Sequence, residues 1–206
     1  MDDATLTTDG LVPLGAGQVL LIACGALARE ILALKAAYDG SIPDLKCMPA
    51  RLHNHPEQIV PAVREAVKKH RKEYASVFVV YADCGTGGML EAACDEMGVT
   101  MVAGPHCYSF FEGNEAFVAH EEMTAFYLTD FLVRQFDAFV WEPLGLGRHP
   151  DLRDMYFGNY EKLVYQAQTD DPELTAKAHR CADRLGLPFE RRFTGYGDLG
   201  TALAAL

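Results

Sequence analysis

The chain has 206 residues, half of them hydrophobic and about a quarter charged, which suits a folded globular protein and departs from a disordered composition. Lys and Arg total 18 against 29 Asp and Glu, a formal net charge of -11 that repels phosphate backbones and offers no basic stripe, so no nucleic-acid partner is expected. The longest apolar run, VLLIACGALA, is too short to span a bilayer, and acidic Asp2 and Asp3 contradict a basic signal-peptide front, so the expected setting is cytoplasmic with no membrane partner.

Residues 1–17 are polar and then carry Pro13, Gly15 and Gly17, and are expected to be a mobile leader. A buried strand is expected over Val19–Ala23, running into Cys24 and Gly25. A helix follows in which Leu27, Ile31, Leu34 and Ala37 or Tyr38 recur at helical spacing. A short strand over Leu45–Pro49 leads to the loop Arg51-Leu52-His53-Asn54-His55-Pro56 and to a helix over about 56–74 with Ile59, Val63, Ala66 and Val67 inward. Val77–Tyr81 is the clearest strand, β-branched and aromatic throughout, followed by Asp83-Cys84-Gly85-Thr86-Gly87-Gly88 and a helix over Met89–Met97.

Thr100–Ala103 predicts another strand, ending at Gly104-Pro105-His106-Cys107. Phe117, Met123, Phe126 or Tyr127, and Phe131 predict one helix over 114–135, and Ala138–Trp141 a further strand before a segment punctuated by Pro143, Gly145, Gly147 and Pro150. A strand over Lys162–Gln168, a helix over Pro172–Leu185, a strand over Phe189–Phe193 and a Gly195-Tyr196-Gly197 turn complete the chain. Strands alternating with helices predict an α/β fold: a three-layer, open, mostly parallel sheet with helices on both faces and right-handed crossovers. The expected organisation is a single domain over 18–206, with room for a small subdomain around 108–160.

In such a sheet the carboxyl ends of the strands line one crevice. Cys24, His53, His55, Asp83, Cys84, His106, Cys107 and Glu142 all fall in loops at those ends, and together they are a metal-ligand inventory. Zinc takes four ligands from Cys, His and carboxylate, and a catalytic site keeps one position open. Cys24, Cys84 and Cys107 are the candidate metal ligands, a soft set able to activate a thiol by lowering its pKa. The other reading is that free cysteine is among the most buried residue types, and that a Cys-Gly pair after a strand simply fits a tight turn. Cys47, Cys94 and Cys181 lie inside predicted elements and are expected to be inert.

Gly85, Thr86, Gly87 and Gly88 form a turn whose amides can approach a carboxylate or phosphate at the start of the next helix, although glycine can equally be there for packing. The turn lacks a P-loop ending and a dinucleotide spacing. Asp83 and His106 are the candidate catalytic groups, His106 as ligand or as a base near neutral pH. His120-Glu121 opens like a zinc-protease helix, but Thr124 stands where the second histidine belongs. The aromatic second half suggests core packing or a pocket for a methylated-amine cation. Trp141, Arg153 and Tyr160 are the candidate substrate residues there.

The runs IACGALARE, YADCGTGG, AGPHCYSFFEG and LGLGRHPDLRDMYFGNYEKLVY, with the LGL and GYG of the tail, together resemble an uncharacterised family of bacterial and archaeal proteins, a domain of unknown function, over nearly the whole chain from Val19. Some members lie in gene neighbourhoods of corrinoid-dependent methyltransferases, including the trimethylamine type. The resemblance implies a place in methylated-amine or one-carbon metabolism and carries over no catalytic residues. Zinc-thiolate sites serve methyl transfer to thiols, which gives the three cysteines a coherent task. The chain has no corrinoid-binding Asp-x-His-x-x-Gly motif, so a corrinoid would arrive on a partner protein.

The leading expectation is therefore a zinc-thiolate enzyme acting in methyl transfer on a small-molecule substrate. Three alternatives stay open: an iron-sulfur cluster on the same three cysteines, a racemase-like acid and base pair of Cys24 and Cys84, or a non-catalytic accessory protein of a corrinoid methyltransferase system.

Overall fold

The computed structural model describes residues 2–15, 18–37 and 43–206. Gly17 and Tyr38, singled out above, lie outside them. The fold is α/β, with two parallel sheets of four and three strands where one continuous sheet was expected. The chain divides into two compact units, the first running to Phe110 and taking in Asp198–Leu206, the second spanning Phe111–Gly197.

The first unit opens with α1 (Asp3–Thr8), capped by the Asp2 side chain, with Leu6 fully buried. The expected leader is thus folded over this stretch, and Leu11 pairs with Cys47 through backbone hydrogen bonds in both directions. Next come β1 (Val19–Cys24), α2 (Ala28–Ala37), β2 (Asp44–Met48), α3 (Ile59–His70), β3 (Ser76–Val80), α4 (Met89–Met97) and the short β4 (Thr100–Met101). β1 is apolar almost from end to end because a central parallel strand is covered on both faces. The strand order is β2-β1-β3-β4, so the chain leaves β1 first to one side and then to the other. That reversal makes the carboxyl ends of β1 and β3 the topological switch point, where open α/β sheets hold their ligands.

Gly25 shows why the chain can turn so tightly after Cys24. A β-carbon there would stand 2.7 Å from the Leu6 carbonyl oxygen and 2.8 Å from that of Met48. Only glycine lets α1, the end of β2 and the start of α2 close on one another. α3 buries Ile59, Val63, Ala66 and Val67 as its period requires.

In the second unit α5 (Ser109–Glu112), which spans the boundary, leads to α6 (Asn114–Ala119), β5 (Ala125–Thr129), α7 (Asp130–Arg134), α8 (Leu152–Phe157), β6 (Lys162–Ala167), α9 (Pro172–Leu185) and β7 (Phe189–Phe193). The strands run parallel in the order β5-β6-β7. The expected single helix over 114–135 is in fact helix, strand and helix. Met123 is exposed and Tyr127 lies in the strand, so their spacing does not describe one helical face. Residues 137–141 form a wide helical turn closed by a hydrogen bond from the Glu142 amide to the Asp137 carbonyl, not a strand, and Glu142 therefore does not follow a strand end. α9 begins on an Asp171 cap with Pro172 in its first turn and stops at left-handed Gly186. α10 (Gly197–Ala204) closes the chain and belongs, from Asp198 on, to the first unit.

Asp130 ties the second sheet together. It is fully buried, and its carboxylate accepts hydrogen bonds from the Tyr165 hydroxyl, the Gln168 amide, and the amide and hydroxyl of Thr169. Four donors satisfy a charge that would otherwise be prohibitive to bury. No helix among the described residues is long and apolar enough to cross a membrane.

Candidate three-thiol centre

β1 ends on Cys24, β3 is followed directly by Tyr81 and three residues later by Cys84, and the loop after β4 carries Cys107. The sulfurs of Cys84 and Cys107 lie 3.0 Å apart, and the Cys107 thiol is close enough to Cys24 to act on its ionisation. Three residues separated by long stretches of chain thus meet beside the switch point. Main-chain bonds hold the two later loops side by side, from the Asp83 amide to the Gly104 carbonyl at 3.0 Å and from the Cys84 amide to the Pro105 carbonyl at 3.2 Å. Cys84 itself takes a left-handed conformation, with φ of +47°. A non-glycine residue held there stores backbone strain of the kind that gathers at functional sites.

The protonation pattern follows from who donates to whom. Cys24 is 4% exposed, yet its pKa is lowered, first by the hydrogen bond from Cys107 and with help from the Ala26 amide, against the opposing cost of burial. Cys107 is pushed the other way because donating to Cys24 and Cys84 favours its protonated form. Of the three thiols Cys24 is therefore the one most favoured to ionise, and Cys107 the one most favoured to keep its proton. By contrast, burial raises Cys47, and raises Cys94 and Cys181 to about 11, which leaves these three as unreactive thiols.

A fourth group was not evident in the sequence. Tyr81 is 1% exposed and its hydroxyl has no partner in hydrogen-bond geometry. It approaches Cys24, and its pKa is raised well above the usual phenol range by burial and by the surrounding Cys24, Cys107 and Cys84 thiols. A tyrosine in a buried strand reads as core, so only the tertiary structure reveals an orphaned phenol facing sulfur. His106, one residue before Cys107, and His53 are close enough to influence each other's charge. His106, half-buried and stacked on Tyr108 at 4.8 Å, has its pKa lowered by burial while Asp83 opposes the shift. His53 is lowered by the crowding around it and by His106. His53 and His55 are both exposed, and His55 pairs with Glu57 at 3.5 Å.

Asp83 and the glycine turn have a role of their own. The Asp83 carboxylate accepts from the Gly88 amide at 2.6 Å, the Gly87 amide at 3.2 Å and the Thr86 hydroxyl at 2.9 Å. The Gly88 bond is the main reason its pKa is lowered. Gly85, Gly87 and Gly88 all have positive φ, which is what folds these amides inward. The anion expected on Gly85, Thr86, Gly87 and Gly88 is thus the chain's own carboxylate, and Asp83 serves as a clamp on the turn before α4.

The remaining candidates lie in the second unit. Trp141 and Arg153 line one groove of about 370 Å³ with Leu146, Gly147 and Pro150. There Arg184 sits over the Trp141 ring at 4.1 Å and Arg153 pairs with Asp154. Tyr160 does not join them; it packs edge-on against Phe126 and beside Phe157.

The donor set suits a soft ion: three thiols, one of them favoured as thiolate, with an orphaned phenol beside them. In the arrangement described the sulfurs bond to one another, and among the described residues no group of three or more His, Cys, Asp or Glu side chains is arranged as a ready metal site. A family profile described as a protein of unknown function (DUF1638) matches residues 47–203. The match covers Cys84 and Cys107 and begins after Cys24. No curated protein and no solved structure matches the chain.

Proposed function

The chain belongs to the DUF1638 family, whose function is unknown, and from that premise we propose that it is a metal-dependent, thiolate-centred enzyme of one-carbon or methylated-amine metabolism, with zinc as the metal and methyl transfer as the reaction class. The observation that carries this reading is the 3.0 Å approach of the Cys84 and Cys107 sulfurs, with Cys24 close enough for Cys24 and Cys107 to affect each other's ionisation, beside the switch point of the first sheet. The reaction class rests on the family resemblance, and a corrinoid would come on a partner protein. A cytoplasmic setting keeps the six cysteines as thiols.

Cys24, Cys84 and Cys107 would hold the ion. When bound, zinc supplies a Lewis acid that lowers the pKa of an incoming thiol toward neutrality. The chain's own groups supply the rest. The Ala26 amide steadies Cys24 as a thiolate. Half-buried Cys84 and Cys107 mark the side open to substrate. His53 and His106, both disposed to be neutral, can take up the proton that a thiol or ammonium substrate gives up.

The sulfur spacing favours a single ion over a cluster. Two ligands on one zinc stand roughly 3.8 Å apart, from 2.3 Å bonds at a tetrahedral angle, so Cys84 and Cys107, 3.0 Å apart, need separate by only about 0.8 Å to share an ion. Cluster ligands spread over separate irons. A racemase-like pairing of Cys24 with Cys84 has less support, because the close neighbour of Cys84 is Cys107 and not Cys24.

Metal analysis of anaerobically purified protein tests the proposal. About one zinc per chain is expected, lost in Cys84→Ser while circular dichroism stays unchanged. A brown, iron-rich preparation would replace zinc by a cluster, and a chain that takes up no metal when supplied with zinc would overturn the reading.

A further inference from the structure

We infer that Cys84 and Cys107 are an oxidative modification site, closing into a reversible intramolecular disulfide when the protein meets a peroxide. The effect on metal binding rests on the three-thiol reading above, whereas the crosslink itself does not.

Proximity is the first argument. A disulfide needs its sulfurs about 2.05 Å apart, so the observed 3.0 Å calls for an approach of roughly 1 Å, within the reach of side-chain rotation. Backbone placement is the second. The Cys84 amide already bonds to the carbonyl of Pro105, two residues before Cys107, so the two chains need not move to bring the side chains together. Access is the third. Cys84 and Cys107 are half-buried, whereas Cys24, Cys47, Cys94 and Cys181 are buried. Cys24 also touches Cys107, but a peroxide molecule reaches the partly exposed pair first.

The chemistry balances with hydrogen peroxide as oxidant. The Cys84 sulfur attacks one peroxide oxygen, a sulfur–oxygen bond forms, the oxygen–oxygen bond breaks and water leaves, giving a sulfenic acid. The Cys107 sulfur then attacks the Cys84 sulfur and displaces that oxygen as a second water. Each sulfur gives up one electron, the peroxide takes two, and both thiol protons leave in the waters. A dithiol reductant reverses the product by exchange. Closure would withdraw two of the three metal donors at once and leave Cys24 alone, so oxidation and metal occupancy exclude each other.

The test uses the full chain, as purified under anaerobic conditions and after treatment with a chelator, exposed briefly to hydrogen peroxide. Free thiols should fall from six per chain to about four, peptide mapping should find one crosslink between Cys84 and Cys107, and dithiothreitol should restore all six. Cys24→Ser should keep the crosslink, and Cys84→Ser or Cys107→Ser should abolish it. Six persistent thiols in the chelator-treated chain, or a crosslink through any other cysteine, would overturn the inference. The two readings fail separately. A crosslink in a chain that never binds zinc would uphold the disulfide and sink the metal centre, and a zinc-loaded chain whose stripped form does not crosslink would do the reverse.

Discussion

The Cys107 sulfur lies 3.0 Å from that of Cys84 and is the main influence that lowers the Cys24 pKa, so this one thiol joins the other two and favours ionisation of Cys24. Removing it should be felt at Cys24. In Cys107→Ala the main influence lowering the Cys24 pKa is gone and burial is left to raise it. The ultraviolet absorbance of the thiolate should then appear at higher pH in Cys107→Ala than in the parent chain. An unchanged onset would mean that Cys107 does not support Cys24.

Tyr81→Phe separates structure from function. A buried hydroxyl without a partner costs stability, so its removal should leave thermal unfolding unchanged or raise it. If the phenol serves the thiol centre, the same variant should bind zinc more weakly, roughly tenfold. A clear loss of stability would instead make the hydroxyl a structural donor.

The glycine turn gives a prediction about Asp83. Asp83→Ala strands the Gly87 and Gly88 amides and the Thr86 hydroxyl, and should lower unfolding stability by about 1–2 kcal/mol, with Asp83→Asn closer to the parent. Denaturant midpoints measure the difference. Equal midpoints for parent and alanine variant would show that the clamp contributes nothing.

Acid should act on the second unit through Arg192. This guanidinium pairs with Glu112, Glu122 and Glu190, and Lys162 adds bonds to the last two. The Arg192 bonds are the main cause that holds Glu122 and Glu190 below the usual carboxylate range. Carboxylates whose folded pKa is depressed contribute stability that is present above their unfolded pKa, near 4.5, and is lost as pH falls through the folded value. Stability should therefore decline below about pH 4.5, and Arg192→Ala should flatten that decline while costing about 1–2 kcal/mol at neutral pH, since it leaves Glu122 and Glu190 to Lys162 alone. Denaturant unfolding across pH measures both; parallel pH curves for parent and variant would contradict the assignment.

Much of the fold is written locally. Met89–Met97, Pro172–Leu185 and Phe189–Phe193 are legible because caps, glycine stops and periodicity agree there. β1 and β3 are legible because burial on both faces demands unbroken apolar runs. β5 is hidden because its five residues pass directly into α7, so that Tyr127 and Phe131, four residues apart, imitate a helical repeat. The meeting of Cys24, Cys84 and Cys107 follows from the strand-end rule, but the capture of the glycine amides by Asp83 depends on positive φ values that no composition announces. Tyr81 is missed for the opposite reason, since a tyrosine in a buried strand is ordinary until its hydroxyl is found without a partner.

The central claim is that Cys24, Cys84 and Cys107 share one soft metal ion. X-ray absorption at the zinc edge of anaerobically purified protein tests it most directly. Three shared thiolates give about three sulfur neighbours near 2.3 Å in the parent chain, and no zinc edge above background in Cys84→Ser. A zinc shell of nitrogen and oxygen alone, or one unchanged by the substitution, would contradict it.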